Sequence, residues 1–312
     1  MTKKSKTAVV FPGQGSQFAG MGRDIYDAFA GARELFDRAG SILGFNLAAC
    51  CFSSGEDELS RTRITQPAIF VHSVAVYEIL KERGLAAGIT AGHSLGEYSA
   101  LVAAGYLDFE EGLRLVGRRG QLMQDAGREN PGTMAAVIGL DDRVLEELCA
   151  SDPAIVVVAN FNCPGQTVIS GEVEAVERVM EAARAAGARM VKKLKVSGAF
   201  HSPLMESTRE QMTRELSAAS FRQGSLPVVA NVTAEPESRP EKIRGLLAEQ
   251  ITGPVRWQAS IERMAAWGAR EFLEVGPGSV LSGLIRRIDR NLKAGQVGTL
   301  EQIKAFKALE AD

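Results

Sequence analysis

The amino-acid sequence predicts an α/β fold: a large, mostly parallel sheet flanked by helices, interrupted by a small α+β unit. Two observations predict it. In the first third of the chain, short apolar runs typical of buried strands alternate with helix-like patterns. The middle third reads strand, helix, strand, strand, helix, strand, and the earlier alternation then resumes. We therefore assign residues 1–131 and 197–312 to the large domain and residues 132–196 to a small ferredoxin-like subdomain.

The first part of the large domain opens with a strand, TAVVF at residues 7–11, which runs directly into the turn PGQGSQ. A long apolar helix is predicted from Thr65, with Pro67 near its first turn and Gly84 at its end. GITAG at residues 88–92 reads as a second strand, and a glycine-bounded turn connects it to the helix LGEYSALVAAG. Strand, turn and helix in this order are typical of a parallel sheet.

The subdomain and the segments after it follow from the same periodicities. TMAAVIGL, AIVVVAN, QTVISG and RMVKKLKV read as strands, and DRVLEELCA and EVEAVERVMEAARAAG read as helices. FNCPG predicts a hairpin turn, and turn chemistry accounts for Asn160 and Asn162. Beyond the subdomain, LMESTREQMTREL predicts a helix, LPVVANV an extended segment, EFLEV a strand and SVLSGLIRRI a helix.

Composition restricts the class of protein. The 312 residues are 45% hydrophobic, which is ample for a buried core, and 36 basic residues against 38 acidic ones give a net charge of −2. So small a charge predicts neither a nucleic-acid partner nor an anionic membrane surface. Lys3, Lys4 and Lys6 precede only the short apolar run AVVF, which is too short for a signal peptide or a membrane span. The four cysteines lack metal-ligand spacing, so we expect reduced thiols, no metal ion and a cytoplasmic location.

The pentapeptide GHSLG, centred on Ser94, lies between the second predicted strand and a helix. G-x-S-x-G in this context is the nucleophile elbow. Its glycines are needed because the bend crowds the backbone, and its serine hydroxyl is placed at a helix N-terminus, where N–H groups stabilise developing negative charge. A glycine-lined turn with Ser94 as a helix cap is the alternative interpretation.

A serine nucleophile needs a base, and the chain has three histidines. His93 adjoins Ser94, and the side chains of neighbours across a sharp bend diverge. His72 lies within an apolar helix pattern and is better explained as a packed structural residue. His201 lies in a loop between a predicted strand and a helix, where catalytic groups are often carried. Elimination and position therefore both indicate His201 as the general base.

Five motifs together resemble the malonyl-CoA:acyl carrier protein transacylase family. They are FPGQGSQ near the N-terminus, GHSLGEYSA around Ser94, RRG at residues 118–120, GAFHSPLM around His201 and EVGPGSVLSGL at residues 274–284. They occur in the family's order over residues 8 to about 288. The family joins a hydrolase-like α/β domain to a ferredoxin-like subdomain, so the resemblance implies the same fold as the pattern of elements.

The resemblance also implies an activity, namely transfer of malonyl from malonyl-CoA to the phosphopantetheine thiol of acyl carrier protein through a malonyl-Ser94 intermediate, for fatty acid synthesis. It implies that the backbone N–H groups of Leu95 and Gln14 form the oxyanion hole. Arg119 matches the family's substrate arginine, and a guanidinium binds a free carboxylate with two parallel hydrogen bonds. Malonyl has that carboxylate and acetyl does not. LDFEEGLRLVGRRGQLMQDA at residues 107–126 predicts the helix that carries Arg119, and Arg114 and Arg118 on this helix are expected to be solvated.

Further site residues follow only from the resemblance. The main-chain carbonyl of Gln250 is expected to orient His201, although a simple helix-end glutamine is an equal alternative. Gln66 is expected to line the acyl pocket or only to cap a helix. Phe200 is expected to crowd the α-methyl branch of methylmalonyl. No cofactor is expected, because malonyl-CoA is a substrate and phosphopantetheine is carried by the partner, and we expect a monomer.

Other classes of protein share parts of this pattern. A serine esterase or thioesterase shares the elbow. In that class the three triad residues usually follow one another along the chain as Ser, then Asp or Glu, then His. That class also often has an HGGG loop, which this chain lacks. A carrier-protein docking module without catalysis would form no malonyl adduct. An acyltransferase of a polyketide pathway would differ only in the carrier protein that it serves.

Overall fold

A computed structural model describes residues 7–307, so that Lys3, Lys4 and Lys6 lie outside the described residues. The described strands are β1 Thr7–Phe11, β2 Ile89–Gly92, β3 Gly132–Ile138, β4 Val156–Cys163, β5 Gln166–Glu172, β6 Met190–Lys193, β7 Val228–Val229, β8 Pro236–Glu237, β9 Glu271–Val275 and β10 Lys293–Val297. The described α-helices are α1 Arg23–Ala28, α2 Ala30–Leu43, α3 Leu47–Ser53, α4 Glu56–Leu59, α5 Thr62–Glu82, α6 Gly96–Ala103, α7 Phe109–Glu129, α8 Asp142–Ser151, α9 Val173–Ala185, α10 Glu206–Ala218, α11 Pro240–Gln250, α12 Trp257–Trp267, α13 Val280–Ile288 and α14 Leu300–Ala305.

The larger sheet has six strands in the order β10-β9-β1-β2-β7-β8, of which all neighbours but β7 and β8 are parallel. Every residue of β1 and β2 is buried, which explains their unbroken apolar runs. The two strands pair in register, with Phe11 opposite Gly92. Because parallel strands end at the same edge of a sheet, the turns that follow β1 and β2 are brought side by side. The predicted α/β class is confirmed.

The smaller sheet is antiparallel throughout, in the order β4-β5-β3-β6. Helices α8 and α9 complete a strand-helix-strand-strand-helix-strand order that falls within residues 132–196. They pack an apolar cluster of their own on the sheet, which includes Leu145, Ile169 and Val176. The smaller sheet also reaches the larger unit, because the N–H of Phe161 donates to the Val255 carbonyl at 2.9 Å. The domain boundaries themselves stay a prediction.

Several element boundaries differ from the sequence prediction, and two of them change the interpretation of named residues. Helix α5 begins at Thr62 rather than Thr65, because the N–H groups of Ile64 and Thr65 both donate to the Arg61 carbonyl at 2.8 Å. Pro67 therefore lies inside the helix, where its missing N–H removes one main-chain hydrogen bond.

Strand β4 continues to Cys163, so the hairpin turn is shorter than FNCPG. Asn160 and Asn162 lie within this strand, next to two register shifts in its pairing with β5. The interpretation of these two asparagines as turn residues was therefore wrong.

Residues 23–59, to which no element was assigned from the sequence, form the four helices α1 to α4. Within residues 7–307, no single helix has the length and apolarity needed to cross a bilayer. Among these residues, only the two helices Ala30–Leu43 and Leu47–Ser53 taken together have that length and apolarity, and a bend of 117° separates them. Helix α2 of this pair buries Ala32, Phe36 and Ala39 on one face, as in an amphipathic helix.

Three glycines bring the end of β1 and the start of α6 into backbone contact. A Cβ at Gly92 would lie 1.9 Å from the carbonyl carbon of Gly96, and a Cβ at Gly96 would lie 2.1 Å from the carbonyl oxygen of Phe11. A Cβ at Gly13 would lie 2.4 Å from the carbonyl oxygen of His93. Because backbone atoms cannot move aside as a flexible side chain does, these positions exclude any larger residue.

Gly92→Ala is expected to lower the free energy of unfolding by at least ~2 kcal/mol, because the added methyl overlaps the backbone of α6. The matched control is Gly245→Ala within α11, where a Cβ meets no atom within 4 Å. The control should be neutral or stabilising by up to about 1 kcal/mol. Urea denaturation of both variants measures this, and equal stabilities would contradict the packing described.

Candidate active site

Ser94 occupies the bend between β2 and α6 with a φ of 51°. This left-handed conformation is uncommon for a residue other than glycine and is strained. The side chain of Asn231 holds the bend, because its Oδ1 accepts from the Ser94 N–H at 2.7 Å and its Nδ2 donates to the Gly92 carbonyl at 2.7 Å. No motif in the sequence pointed to Asn231, since it is distant along the chain.

His201 lies directly against the serine, with Nε2 at 2.8 Å from Ser94 Oγ. Its Nδ1 is 2.8 Å from the Gln250 carbonyl oxygen and 3.2 Å from that of Gly253. Carbonyl oxygens only accept hydrogen bonds, so Nδ1 carries the proton of the neutral ring. Nε2 is then left as the acceptor for the Ser94 hydroxyl, which is the arrangement that a general base requires.

The electrostatic surroundings keep His201 neutral. Burial, and after it the positive charge of Arg119, lower the pKa of His201 to about 3. The carbonyl oxygens of Gln250 and Gly253 act in the opposite direction, because they stabilise the protonated ring. The imidazole is therefore neutral across the ordinary pH range.

Arg119, on α7, is fully buried and points its guanidinium at the serine. Its Nη2 donates to Ser94 Oγ at 3.1 Å and to Gln250 Oε1 at 2.9 Å, and its Nη1 donates to Gln66 Oε1 at 2.8 Å. The ring of Tyr98 lies 5.8 Å from the guanidinium carbon. Within the described part of the chain, these hydrogen-bond acceptors are all neutral oxygens, and Nε has no partner.

This arrangement places a cation that has no carboxylate among its direct hydrogen-bond partners beside the Ser94 hydroxyl, where it favours a ligand with an anionic group. The neighbouring arginines differ. Arg114 and Arg118 are exposed and pair with Glu111 and Glu215 respectively. Their predicted solvation is confirmed.

Gln250 connects His201 to Arg119. Its main-chain carbonyl accepts from His201, and its side-chain oxygen accepts from Arg119. Its Nε2 donates to the Ser94 carbonyl at 3.0 Å and to Glu97 Oε2 at 2.8 Å. The sequence resemblance implied the first contact alone, and the side-chain contacts with Arg119 and Glu97 were missed.

Glu97 is a buried carboxyl group that the sequence reasoning did not select. Burial raises its pKa to about 7, while hydrogen bonds from Gln250 and Asn231 and the charge of Arg119 act in the opposite direction. The motif GHSLGEYSA contained a local signal, because Glu97 is its single acidic residue and lies near the start of a predicted helix. A charged residue at such a position needs a buried partner.

Two backbone N–H groups lie beside the elbow without a protein acceptor. Gly13 packs against the His93 backbone, which places the turn that contains Gln14 next to the bend. Across residues 7–307, the N–H groups of Gln14 and Leu95 donate to no protein acceptor, whereas that of Ser94 is taken by Asn231. Two such free donors are what an oxyanion hole requires. Their assignment to this role stays a prediction.

The remaining residues are placed differently. Gln66 lies within α5 and orients Arg119, so it is not a helix cap. Phe200 is buried in the main core cluster, and its effect on branched acyl groups stays a prediction. His93 is turned to the smaller sheet, with its Nε2 2.9 Å from Asn162 Oδ1, and does not contact Ser94 Oγ. Among residues 7–307, no group of three His, Cys, Asp or Glu side chains is placed to hold a metal ion.

Comparison with known proteins gives a consistent result. The family model described as "Acyl transferase domain" matches residues 8–302. The malonyl CoA-acyl carrier protein transacylase of Bacillus subtilis (strain 168) is 42% identical over 303 residues, which are 96% of this chain and 96% of that protein.

Two solved structures are similar along almost their whole length. One is an acyl carrier protein S-malonyltransferase from Vibrio cholerae O1 biovar eltor, with a TM-score of 0.93, 40% identity, and coverage of 96% of this chain and 99% of that chain. The other is a malonyl-transacylase in complex with its type II PKS acyl-carrier protein, with a TM-score of 0.93, 42% identity, and coverage of 96% and 98%.

The low pKa of His201 predicts an unusual pH profile for Ser94. Inactivation by phenylmethylsulfonyl fluoride should proceed at a nearly constant rate from pH 8 to pH 5, because the base stays unprotonated throughout. A histidine with the ordinary pKa of about 6.5 would slow the reaction about 30-fold at pH 5. Mass spectrometry of the sulfonyl adduct measures the rate, with Ser94→Ala as the control that forms none. A profile that falls with a midpoint near 6.5 would contradict the description of the site.

Proposed function

The chain belongs to the acyl transferase domain family, and from this premise we propose that it transfers the malonyl group of malonyl-CoA to the phosphopantetheine thiol of acyl carrier protein. Relatives at 42% identity are malonyl CoA-acyl carrier protein transacylases, and one solved relative is in complex with its carrier protein. The observation that carries the proposal is the buried guanidinium of Arg119, 3.1 Å from Ser94 Oγ. A cation at this place selects an acyl group that has a carboxylate of its own.

In the first half-reaction, Ser94 Oγ attacks the thioester carbonyl carbon of malonyl-CoA while His201 Nε2 takes the hydroxyl proton. The carbonyl oxygen becomes an oxyanion, to which the N–H groups of Leu95 and Gln14 donate. Collapse of this intermediate breaks the carbon–sulfur bond, and His201 returns its proton to the departing thiolate. The products are malonyl-Ser94 and free CoA.

The second half-reaction reverses these roles. The phosphopantetheine thiol gives its proton to His201 and attacks the ester carbon of malonyl-Ser94. The second tetrahedral intermediate collapses with the Ser94 oxygen as leaving group, which recovers the proton from His201. Because free CoA leaves before the carrier protein binds, the kinetics are ping-pong.

Arg119 contributes to selectivity in two ways. Bidentate binding of the malonyl carboxylate satisfies a buried guanidinium that acetyl would leave unpaired, a difference of several kcal/mol. Burial is the largest cause of the low pKa of His201 and the charge of Arg119 is the second, and the same contact offsets this second cause. A substrate with a carboxylate therefore makes the base stronger, so that selection acts on the chemical step as well as on binding.

The alternatives have less support. An esterase or thioesterase would transfer the acyl group to water and has no need of a carrier protein. A docking module without catalysis does not account for the hydrogen bond between Ser94 and His201. We propose that this chain supplies malonyl-acyl carrier protein to fatty acid synthesis. A polyketide carrier protein is the alternative acceptor, because one solved relative is in complex with such a carrier.

The remaining features are also proposals. The reaction as written uses Ser94 and His201 without a cofactor or metal ion. We propose a cytoplasmic location, which the four free cysteines support, since thiols persist in a reducing compartment. We propose a monomer that binds neither nucleic acid nor membrane, in keeping with the net charge of −2. Five large apolar side chains are exposed among the described residues, and so small a number also supports a monomer: Phe18, Val144, Ile155, Met190 and Val280.

The decisive experiment is intact-mass spectrometry after brief exposure to malonyl-CoA, first without and then with holo acyl carrier protein. We expect a malonyl adduct on the wild-type chain, no adduct on Ser94→Ala, and transfer of the adduct once the carrier is added. Steady release of CoA without the carrier would indicate a thioesterase instead. Absence of any adduct would indicate a docking module.

Arg119→Ala is expected to lower the ratio of kcat/KM for malonyl-CoA to that for acetyl-CoA by about 10²-fold or more, because the carboxylate loses its partner. Arg118→Ala is the matched control, since Arg118 is the adjacent residue, is exposed and pairs with Glu215. The control should leave the ratio unchanged. Stopped-flow measurement of CoA release gives both constants, and an unchanged ratio in Arg119→Ala would refute the assigned role.

A further inference from the structure

Glu97 is a fully enclosed carboxyl group that takes no part in the steps described above. It lies in the first turn of α6, three positions after Ser94. A single oxygen, Oε2, accepts two hydrogen bonds: one from Gln250 Nε2 at 2.8 Å and one from the Asn231 backbone N–H at 3.1 Å. Each donor belongs to a residue that contacts the catalytic centre.

The side-chain amide of Gln250 has two possible orientations, and its neighbours decide between them. In the observed orientation, the oxygen faces Arg119 and the nitrogen faces Glu97 and the Ser94 carbonyl. Rotation by 180° would turn the NH₂ group toward the guanidinium, so that donor faces donor. The amide oxygen would then face two other acceptors. Each buried mismatch of this kind is costly.

We propose that Glu97 is a positioning residue, which fixes the Gln250 amide with its oxygen toward Arg119 and so determines how strongly the site prefers a carboxylate-bearing acyl group. This inference rests on the proposed function, because it concerns the arginine that binds the malonyl carboxylate. Without the Glu97 acceptor, the amide loses one of its two strong acceptors and rotates more freely. Arg119 then loses a fixed partner and varies in its position relative to Ser94 Oγ.

A second connection runs from the same oxygen to the elbow. Glu97 holds the Asn231 backbone, and the Asn231 side chain holds the strained Ser94 backbone. Loss of Glu97 therefore affects both the cation and the nucleophile. The selectivity ratio separates these effects, because a displaced nucleophile slows every acyl donor alike, whereas a displaced Arg119 slows only donors with a carboxylate.

The acceptor oxygen, rather than the charge, is the feature that the inference requires. Both hydrogen bonds end on Oε2, so the amide oxygen of a glutamine at this position preserves both of them. Methionine has a similar size and an apolar side chain, and it removes the acceptor. Glu97→Gln and Glu97→Met are therefore a matched pair that differ in the acceptor.

The experiment measures kcat/KM for malonyl-CoA and for acetyl-CoA in both variants at pH 7. Glu97→Gln should keep the malonyl-to-acetyl ratio within about threefold of wild type, and Glu97→Met should lower it about tenfold or more. Glu274→Met is the control for the loss of a buried carboxylate, because Glu274 is fully buried and accepts from the N–H groups of Leu281 and Ser282. It should lower the melting temperature and leave the ratio unchanged.

An unchanged ratio in folded Glu97→Met would overturn the inference, as would an equal loss in Glu97→Gln, which would assign the effect to charge. If Glu97→Met does not fold, Glu97→Asp replaces it, since the shorter side chain withdraws the acceptor and should lower the ratio in the same direction. Arg119→Ala, measured in parallel, distinguishes failure of the proposed function from failure of the role assigned to Glu97. If it also leaves the ratio unchanged, the proposed function fails, and if it alone lowers the ratio, only the role of Glu97 fails.

Discussion

Arg119 imposes the strongest constraint on the site, because a permanent charge without solvent exposure has to be solvated by the protein. The chain meets this demand with neutral groups: the amide oxygens of Gln66 and Gln250, and the nearby ring of Tyr98. The dipoles of these neutral groups hold the guanidinium in place without neutralising its charge, so that an anionic ligand can pair with it. A carboxylate from the protein in direct contact would instead satisfy the charge and remove the preference for malonyl. The selectivity of the site therefore depends on having amide oxygens, rather than carboxylates, as the direct side-chain partners of Arg119.

The proposed nucleophile, Ser94, depends on a second constraint, which is local backbone strain. Ser94 and His201 both have positive φ values, of 51° and 57°. Such conformations persist only where the surrounding structure enforces them. At Ser94 the enforcement comes from the glycines of the bend and from Asn231, which replaces part of the hydrogen bonding that a regular turn would supply. The reactive pair is consequently fixed before any substrate arrives, so little reorganisation is needed at the moment of reaction.

Much of this organisation could be predicted from the sequence, and what could not has a physical reason. The strand-turn-helix context of Ser94 is local, so periodicity and glycine spacing were sufficient for the elbow and for the order of the smaller sheet. Helices α1 to α4 were missed because most are shorter than the window over which periodicity can be recognised. Asn231 and Glu97 were missed for another reason. Their roles consist of hydrogen bonds across more than 130 positions of sequence, so that even where a local sign exists, as for the acidic residue in GHSLGEYSA, it does not identify the partner.

The same logic explains why the base is oriented by main-chain carbonyls instead of a third acidic side chain. A carboxylate behind His201 would raise the pKa of the imidazole and would lie near Arg119, where it would compete with the malonyl carboxylate. The carbonyl oxygens of Gln250 and Gly253 fix the tautomer without adding a charge. His201 is consequently a weak base, because burial and, after it, the charge of Arg119 lower its pKa to about 3. A carboxylate that arrives with the substrate offsets the second of these causes, so the correct acyl group itself partly restores the basicity of His201.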